Sequence, residues 1–186
     1  MNQKGVSTDM SATTIEQILT GTWKLDPFHS TFGFLVTHNG VSKFRGQFEQ
    51  VEATLDAGVL VGTAQVESVR TAIPQLNEHL VSPDFFNAAE TPTITFRSTD
   101  IRVAGDGTAE VDGELTIRGA TKPVTAKGNV AFGENFTGGE VIGFDLEATI
   151  DRREYGLRWQ SQLPRGGDAV AWEVTLETHL ELAQAA

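Results

Sequence analysis

The feature that most constrains this chain is a strict two-residue alternation of apolar and polar side chains, repeated along most of its length. Phe32, Phe34 and Val36 alternate with Thr31, Gly33 and Thr37. Val111, Leu115 and Ile117 alternate with Glu110, Asp112, Glu114 and Thr116. The pattern returns at Ile142, Phe144, Leu146, Ala148 and Ile150, and again at Val170, Trp172, Val174 and Leu176. Successive side chains of a strand point to opposite faces, so this spacing describes strands with one apolar and one wet face, the pattern of antiparallel sheets. Further strands are expected over roughly 44–55, 59–69, 93–103 and 124–132. Turn chemistry separates them at Asp56-Ala57-Gly58, at Gly105-Asp106-Gly107 and from Gly133 to Gly139. About eight strands follow, hence an all-β antiparallel barrel or sandwich. A chain of 186 residues is the size of one domain.

Two segments leave the alternation. Thr13 or Thr14, with Glu16 or Gln17 three positions on, forms a capping box ahead of Ile15, Ile18 and Leu19. A short N-terminal helix ending at Gly21 is expected there, within an extension over 1–20 that precedes the domain at 21–186. Farther on, Ile73, Leu76 and Leu80 recur at helical spacing, with Pro74 suited to a first turn. Ser82-Pro83 then restarts a turn carrying Phe85 and Phe86. A helical insertion over about 71–88, set among strands, is expected to cover one open end of a barrel.

The chain has 11 Phe and three Trp but one Tyr. An eight-stranded barrel has an interior that side chains can fill or that can hold one small ligand. The pattern alone leaves both open. Gly33, Gly62, Gly113, Gly128 and Gly143 lie on or beside strands, where small residues would widen gaps between rings.

Composition removes several function classes. The absence of cysteine excludes disulfide scaffolds, cysteine-ligated zinc, iron–sulfur clusters and thiol nucleophiles. A net charge of −11 argues against nucleic-acid binding, which needs basic neutralisation of phosphates, and against permanent docking on anionic headgroups. No stretch approaches the roughly 20 apolar residues of a membrane span. Residues 1–10 carry one Lys and no apolar run after it, so a cytoplasmic location is expected. There is no Gly-x-Ser-x-Gly elbow, Walker loop or dinucleotide glycine fingerprint.

Histidines are the remaining candidates for chemistry. Asp26-x-x-His29 and His38, helped by His79 and Asp84, could ligate a metal, although no HExxH-type spacing exists. The alternative is that Asp26 and His29 tie down the first strand. His38 shares the register of Phe32, Phe34 and Val36, and a polar group on that face needs a partner. Arg152, water or a ligand's polar head would serve. His179 reads as an edge residue. Arg152, Arg153, Arg158 and Arg165 form a local basic run that Asp151, Glu154 and Asp168 largely offset.

Several ordered motifs resemble the YceI-like family. They begin with Asp26-Pro27-Phe28-His29-Ser30, Phe34-Leu35-Val36-Thr37-His38-Asn39-Gly40-Val41-Ser42 and Gly46-Gln47-Phe48. His79-Leu80-Val81-Ser82-Pro83-Asp84-Phe85-Phe86 and Pro92-Thr93-Ile94-Thr95-Phe96-Arg97-Ser98 follow. Gly113 to Val124 resembles a central hairpin, and Arg152-Arg153-Glu154-Tyr155-Gly156-Leu157 a last signature. The matches run in order from about 22 to 182. The chain departs at Asp151, where Asn is usual, at Tyr155, where Phe is common, and in its N-terminal extension. That extension replaces a signal peptide, so the location of periplasmic family members is not carried over.

The resemblance implies a lipocalin-like barrel enclosing a long isoprenoid lipid, such as a polyprenyl chain or quinone tail, without catalysis and without a cofactor. Phe32, Phe34, Val36, Phe48, Phe96, Phe144, Leu146 and Trp172 would then line the bore. Leu80, Phe85 and Phe86 would close it, with His38 and Arg152 as polar contacts. The expected partner is the lipid itself, with at most transient membrane contact and a possible homodimer. Two other functions stand beside this one. One is a filled barrel acting as an interaction or stress-response module, the other a metal-assisted enzyme using His29, His38 or His79.

Overall fold

A computed structural model describes Ile15 and residues 20–185 of the chain. The expected N-terminal helix, with its capping box and Ile18–Leu19, lies outside the described residues. The remainder is an antiparallel β-structure in the order β1 (Thr22–Leu25), β2 (Thr31–His38), β3 (Ser42–Phe48), β4 (Val51–Asp56), β5 (Val59–Gln65) and β6 (Val69–Thr71). A helix, α1 (Pro74–Val81), follows. The chain then continues through β7 (Thr93–Val103), β8 (Thr108–Ile117), β9 (Ala120–Glu134), β10 (Glu140–Asp151) and β11 (Val170–Gln184).

Eight of these strands close a ring, β1-β4-β5-β7-β8-β9-β10-β11, because β1 pairs with both β4 and β11. The other three form a flap, β2-β3-β6, hanging from the upper part of β11. The flap explains why eight sequence runs became 11 strands. β1 and β2 lie along one partner: Leu25 faces Leu182 on β11, and Thr31 faces His179. The expected strand over 44–55 breaks at Glu49–Gln50 into β3 and β4. The expected strand over 59–69 breaks into β5 and β6 around a 3-10 turn, Val66–Ser68. Buried Ser68 pins both breaks, its Oγ donating to Gln65 O (2.7 Å) and accepting from Gln50 N (3.0 Å).

Each break turns a strand from the closed end of the barrel toward the other end, where the sheet parts. There β6 pairs with β3, and among the described residues no ladder joins it to β7. α1 and the turns over 82–92 span this gap, which is the helical cover expected from Ile73, Leu76 and Leu80. Pro74 occupies the first turn of α1, where its missing N–H costs nothing. Thr71 fastens the helix to β6, its backbone N and Oγ1 both donating to Asn77 Oδ1 (2.8 and 2.7 Å).

The apolar faces meet inside as two clusters. One, at the closed end, contains Trp23, Leu55, Val111, Ile142, Phe144 and Leu182, each no more than 1% exposed. The other contains Phe34, Val36, Phe48, Leu80, Phe85 and Phe86 under the cover. Two glycines are there for the rings rather than for extra space. A Cβ on Gly46 would stand 2.3 Å from Phe34 Cζ, and one on Gly113 would stand 2.5 Å from Phe96 Cζ. Gly113 therefore does not widen the bore, as its small size suggested; Phe96 occupies the room it leaves.

Candidate functional site

The upper half of the barrel is hollow. A cavity of about 690 Å³ lies between the flap, the cover and the start of β11. Its walls are Phe32, Phe34 and Val36 from β2, Phe44 and Phe48 from β3, and Leu76, Leu80, Phe85 and Phe86 from the cover. Opposite them stand Leu115, Ile117, Ile150 and Val174 from β8, β10 and β11. A volume of this order is typical of small-molecule sites, and the apolar walls offer burial rather than hydrogen bonds. A second cavity of about 80 Å³ lies deeper, lined by Phe96, Val111, Leu146 and Leu180 among others. The two share Phe32, Ile94, Leu115 and Leu176, so those four side chains form a waist between them.

The mouth is marked by the cavity residues that also meet solvent. These are His38, Asn39, Ser42 and Lys43 from the β2–β3 hairpin, Ile73 at the start of α1, and Ser161, Gln162 and Pro164. The last three belong to a long segment between Leu157 and Ala169 that runs as loop across one side of the mouth.

Arg152 holds that segment. It is 3% exposed. Its Nε donates to Ala171 O (2.9 Å), its Nη1 to Leu157 O (2.6 Å) and Trp159 O (2.9 Å), and its Nη2 to Val170 O (3.3 Å). Burial pulls its guanidinium pKa down, and the nearby carboxylates of Asp151 and Asp168 act against that. Four of its five N–H donors are spent on backbone, so its main part is to shape the mouth. Asp151, the residue at an expected Asn position, accepts from Arg153 N (2.9 Å) and holds the Arg153 guanidinium in a fork. Arg153 keeps its carboxyl below the usual carboxylate range. Tyr155 is buried in the upper cluster, and burial pushes its phenol up to about 12.

The cover is fastened from two other directions. Arg118, at the tip of the β8–β9 hairpin, donates from Nη1 to Phe85 O (2.8 Å) and Gly156 O (3.3 Å). His79 is wedged edge-on between Phe85 and Trp159, with ring centroids 4.9 and 5.0 Å away. It also stands 3.6 Å from Asp84.

Eight of the expected residues, Phe32, Phe34, Val36, His38, Phe48, Leu80, Phe85 and Phe86, surround the large cavity, and Arg152 also contributes to its wall. Phe96 and Leu146 line the small one. Two expectations fail on placement. Phe144 points inward but lies in the packed closed end, 1% exposed, and lines neither cavity. Trp172 turns out of the bore, because the β2–β11 ladder is irregular between Val170 and Val174. Its ring lies 4.2 Å from the Arg152 guanidinium, and its Nε1 donates to Asp168 (2.6 Å). His38 is at the exposed rim rather than inside.

The wall residues Leu157, Trp159 and Leu163 were not anticipated, since they sit in a loop without periodicity. Their one signal was apolar bulk in an otherwise polar segment. The three histidines proposed for metal chemistry stand on separate elements. Among the described residues, one group could ligate an ion, Asp26, His29 and Glu181, half-exposed at the β1–β2 break and away from the cavity lining.

Comparison with known proteins agrees with this arrangement. The YceI-like domain family matches residues 23–182. A UPF0312 protein of Pseudomonas aeruginosa is 32% identical over 155 residues, covering 78% of this chain and 81% of its own. A UPF0312 protein of Vibrio cholerae is 30% identical over 138 residues, covering 70% and 73%. The YceI protein of Campylobacter jejuni has the same fold at TM-score 0.70 and 24% identity, covering 81% of this chain and 90% of that one. A polyisoprenoid binding domain from Saccharophagus degradans superposes at TM-score 0.63 and 14% identity, covering 88% and 98%. With a family match across nearly the whole barrel and relatives above 30% identity, this chain belongs to the YceI-like family.

Proposed function

We propose that the protein binds a long isoprenoid lipid in the hollow half of its barrel and carries it as cargo, without chemistry of its own. The observation that supports this most is the cavity itself, about 690 Å³, walled by aromatic and aliphatic side chains and opening at one polar mouth. The second cavity beyond the waist suits a chain-like ligand better than a compact one. The polyisoprenoid binding domain with the same fold lends the ligand class. A filled barrel serving only as an interaction module would need this space packed with side chains.

Energetics make the role that of an exchanger. Burial of a CH2 group against water contributes about 0.8 kcal/mol. The cargo, however, comes from a bilayer, and transfer from lipid into an apolar bore is close to neutral. Selectivity must then come from bore length, the methyl-branched shape and the polar groups at the mouth. His38, Asn39, Ser42 and Gln162 are the groups placed to meet a headgroup.

The test is to purify the protein from cells that make polyprenyls, extract it with organic solvent and analyse the extract by mass spectrometry. A stoichiometric isoprenoid in the extract is the expected result. Its absence, in protein shown to be folded, would overturn the proposal.

A further inference from the structure

We infer that the mouth of the barrel is a docking surface for anionic phospholipid bilayers, although the chain as a whole is strongly acidic. The inference rests on the lipid-carrying reading above and names the surface from which the cargo is loaded.

Three segments build the mouth, 38–45, 70–77 and 157–167. Together they carry five of the chain's 14 lysines and arginines and none of its 25 aspartates and glutamates. Two of the five are already neutralised on the outer wall, Arg45 by Glu177 (3.2 Å) and Arg70 by Glu49 (3.2 Å). Lys43, Arg158 and Arg165 are exposed, and among the described residues none has a carboxylate within 4.0 Å. Three of the carboxylates on adjoining elements are turned away or engaged. Glu78 lies two positions from both Leu76 and Leu80, on the face of α1 opposite the cavity. Asp84 stands beside His79, and Asp168 accepts from Gln162 and Trp172.

Apolar side chains accompany the cations. Val41, at the tip of the β2–β3 hairpin, is 87% exposed, and Ile73, at the start of α1, is 48% exposed. Cations and projecting aliphatic side chains on the segments of one mouth fit an anionic interface, where headgroups meet the charges and the acyl boundary receives the apolar tips. The acidic remainder does not cancel this. β11 runs 15 residues from the mouth to the closed end, roughly 50 Å of extended chain. Screening at physiological salt acts over about 8 Å, so the distant carboxylates are invisible to a membrane at the mouth. Among the described residues no helix is long and apolar enough to cross a membrane, so the contact is one of docking.

Flotation with vesicles tests this. Wild-type protein should bind vesicles of phosphatidylglycerol mixed into phosphatidylcholine, bind phosphatidylcholine alone far less, and release in high salt. Each cation near an anionic surface accounts for about a fivefold change in partitioning. The K43Q/R158Q/R165Q variant should therefore lose about 100-fold, K43E/R158E/R165E more, and V41S/I73S should also bind more weakly. K24E and F136S, exposed near the closed end, should match wild type. All substitutions are on the surface, and thermal melts verify folding. Salt dependence of the wild type gives an answer that needs no variant.

No binding by wild-type protein at low salt would overturn the inference, as would equal losses in K24E and the mouth variants. The lipid extract from the same preparations separates the two proposals. Cargo without vesicle binding removes the docking surface alone, and vesicle binding without cargo removes the carrier reading alone.

Discussion

The two halves of this barrel are built from the same alternating strands, yet one leaves about 80 Å³ of space and the other about 690 Å³. At the closed end, Trp23, Leu55, Ile142 and Leu182 come from four strands of an unbroken ring and are 0–1% exposed. At the open end, Phe34, Val36 and Phe48 are 5–9% exposed and face empty volume. Residue type does not separate them, since both halves use Phe, Leu, Ile and Val. The difference lies in the sheet. Breaks at 26–30, 49–50 and 66–68 split three strands and move their upper parts onto a flap, and the gap between β6 and β7 is bridged by a helix. Closure by hydrogen bonds draws the walls to a fixed diameter; closure by a helix leaves room inside.

The largest expected effect is on this contrast itself. In delipidated protein, Phe144→Ala should cost about 4 kcal/mol, the loss of a buried ring plus the cavity it leaves. Phe48→Ala should cost about 2 kcal/mol, since one side of that ring already faces a void. Urea unfolding measures both. Equal costs would mean that the upper half is packed as tightly as the lower.

Next in size is the residue that holds the mouth open. Arg152→Met keeps apolar bulk but removes the guanidinium donors from carbonyls on Leu157, Trp159 and Ala171, while Val170 O keeps Gln160 Nε2 (2.6 Å). A cost of about 3 kcal/mol is expected, because buried groups left unpaired are each worth about 1–3 kcal/mol and the loop relaxes to rescue some. Hydrogen exchange should localise the loss to 157–169, with the closed end unchanged.

These two variants also show what was legible in the sequence. Inward Phe34, Val36 and Phe48 follow from alternation alone, and the cover follows from Ile73, Leu76 and Leu80. The height of a residue along the barrel does not. Phe144 alternates as cleanly as Phe34, but which end it reaches depends on pairings such as Phe144↔Leu180, set by distant sequence. Trp172 shows a second limit. Its spacing from Val174 reads inward, and one irregularity between Val170 and Val174 turns it outward. Arg152 was visible as a charge but not as a staple, since its partners are backbone carbonyls that carry no residue signature. The basic mouth was hidden by a net charge of −11 summed over the whole chain.

Filling the void gives a smaller effect. Val36→Trp places a large ring into the upper cavity and should change stability by no more than about 1 kcal/mol, because the space exists. It should also abolish isoprenoid in the extract. Ile142→Trp, aimed into the closed end where Ile142 is 0% exposed and lines neither cavity, should cost about 2 kcal/mol by overpacking. The opposite ranking would reverse the assignment of hollow and tightly packed halves.

The smallest effect concerns the junction between the halves. At the β1–β2 break, Asp26 N donates to Glu181 O (2.8 Å), Ser30 Oγ accepts from Glu181 N (3.0 Å), and His29 Nδ1 meets Asp26 Oδ2 at 2.9 Å. The hydrogen bond His29 donates to Asp26, then the charge of Asp26 and that of Glu181, raise the His29 pKa. The same hydrogen bond, with one from Phe28 N, lowers that of Asp26. The signs set a window. Protonated His29 contributes below its ordinary pKa of about 6.5, and this is lost as pH rises through its raised value. Ionised Asp26 contributes above about 3.9, and this is lost as pH falls through its lowered value. The link is complete between those limits. Both groups are exposed, so global stability should barely move with pH on their account. NMR reads the junction directly: His29 should titrate above its ordinary value and fall back toward it in Asp26→Asn. Protection of the Thr31–His38 amides, corrected for the intrinsic rise of exchange with pH, should fall above the His29 midpoint while that of Val141–Leu146 stays constant. A strand broken only to pass from a tightly packed half to a hollow one would respond in this way on one side of the break, whereas a barrel behaving as one rigid body would respond on neither or on both.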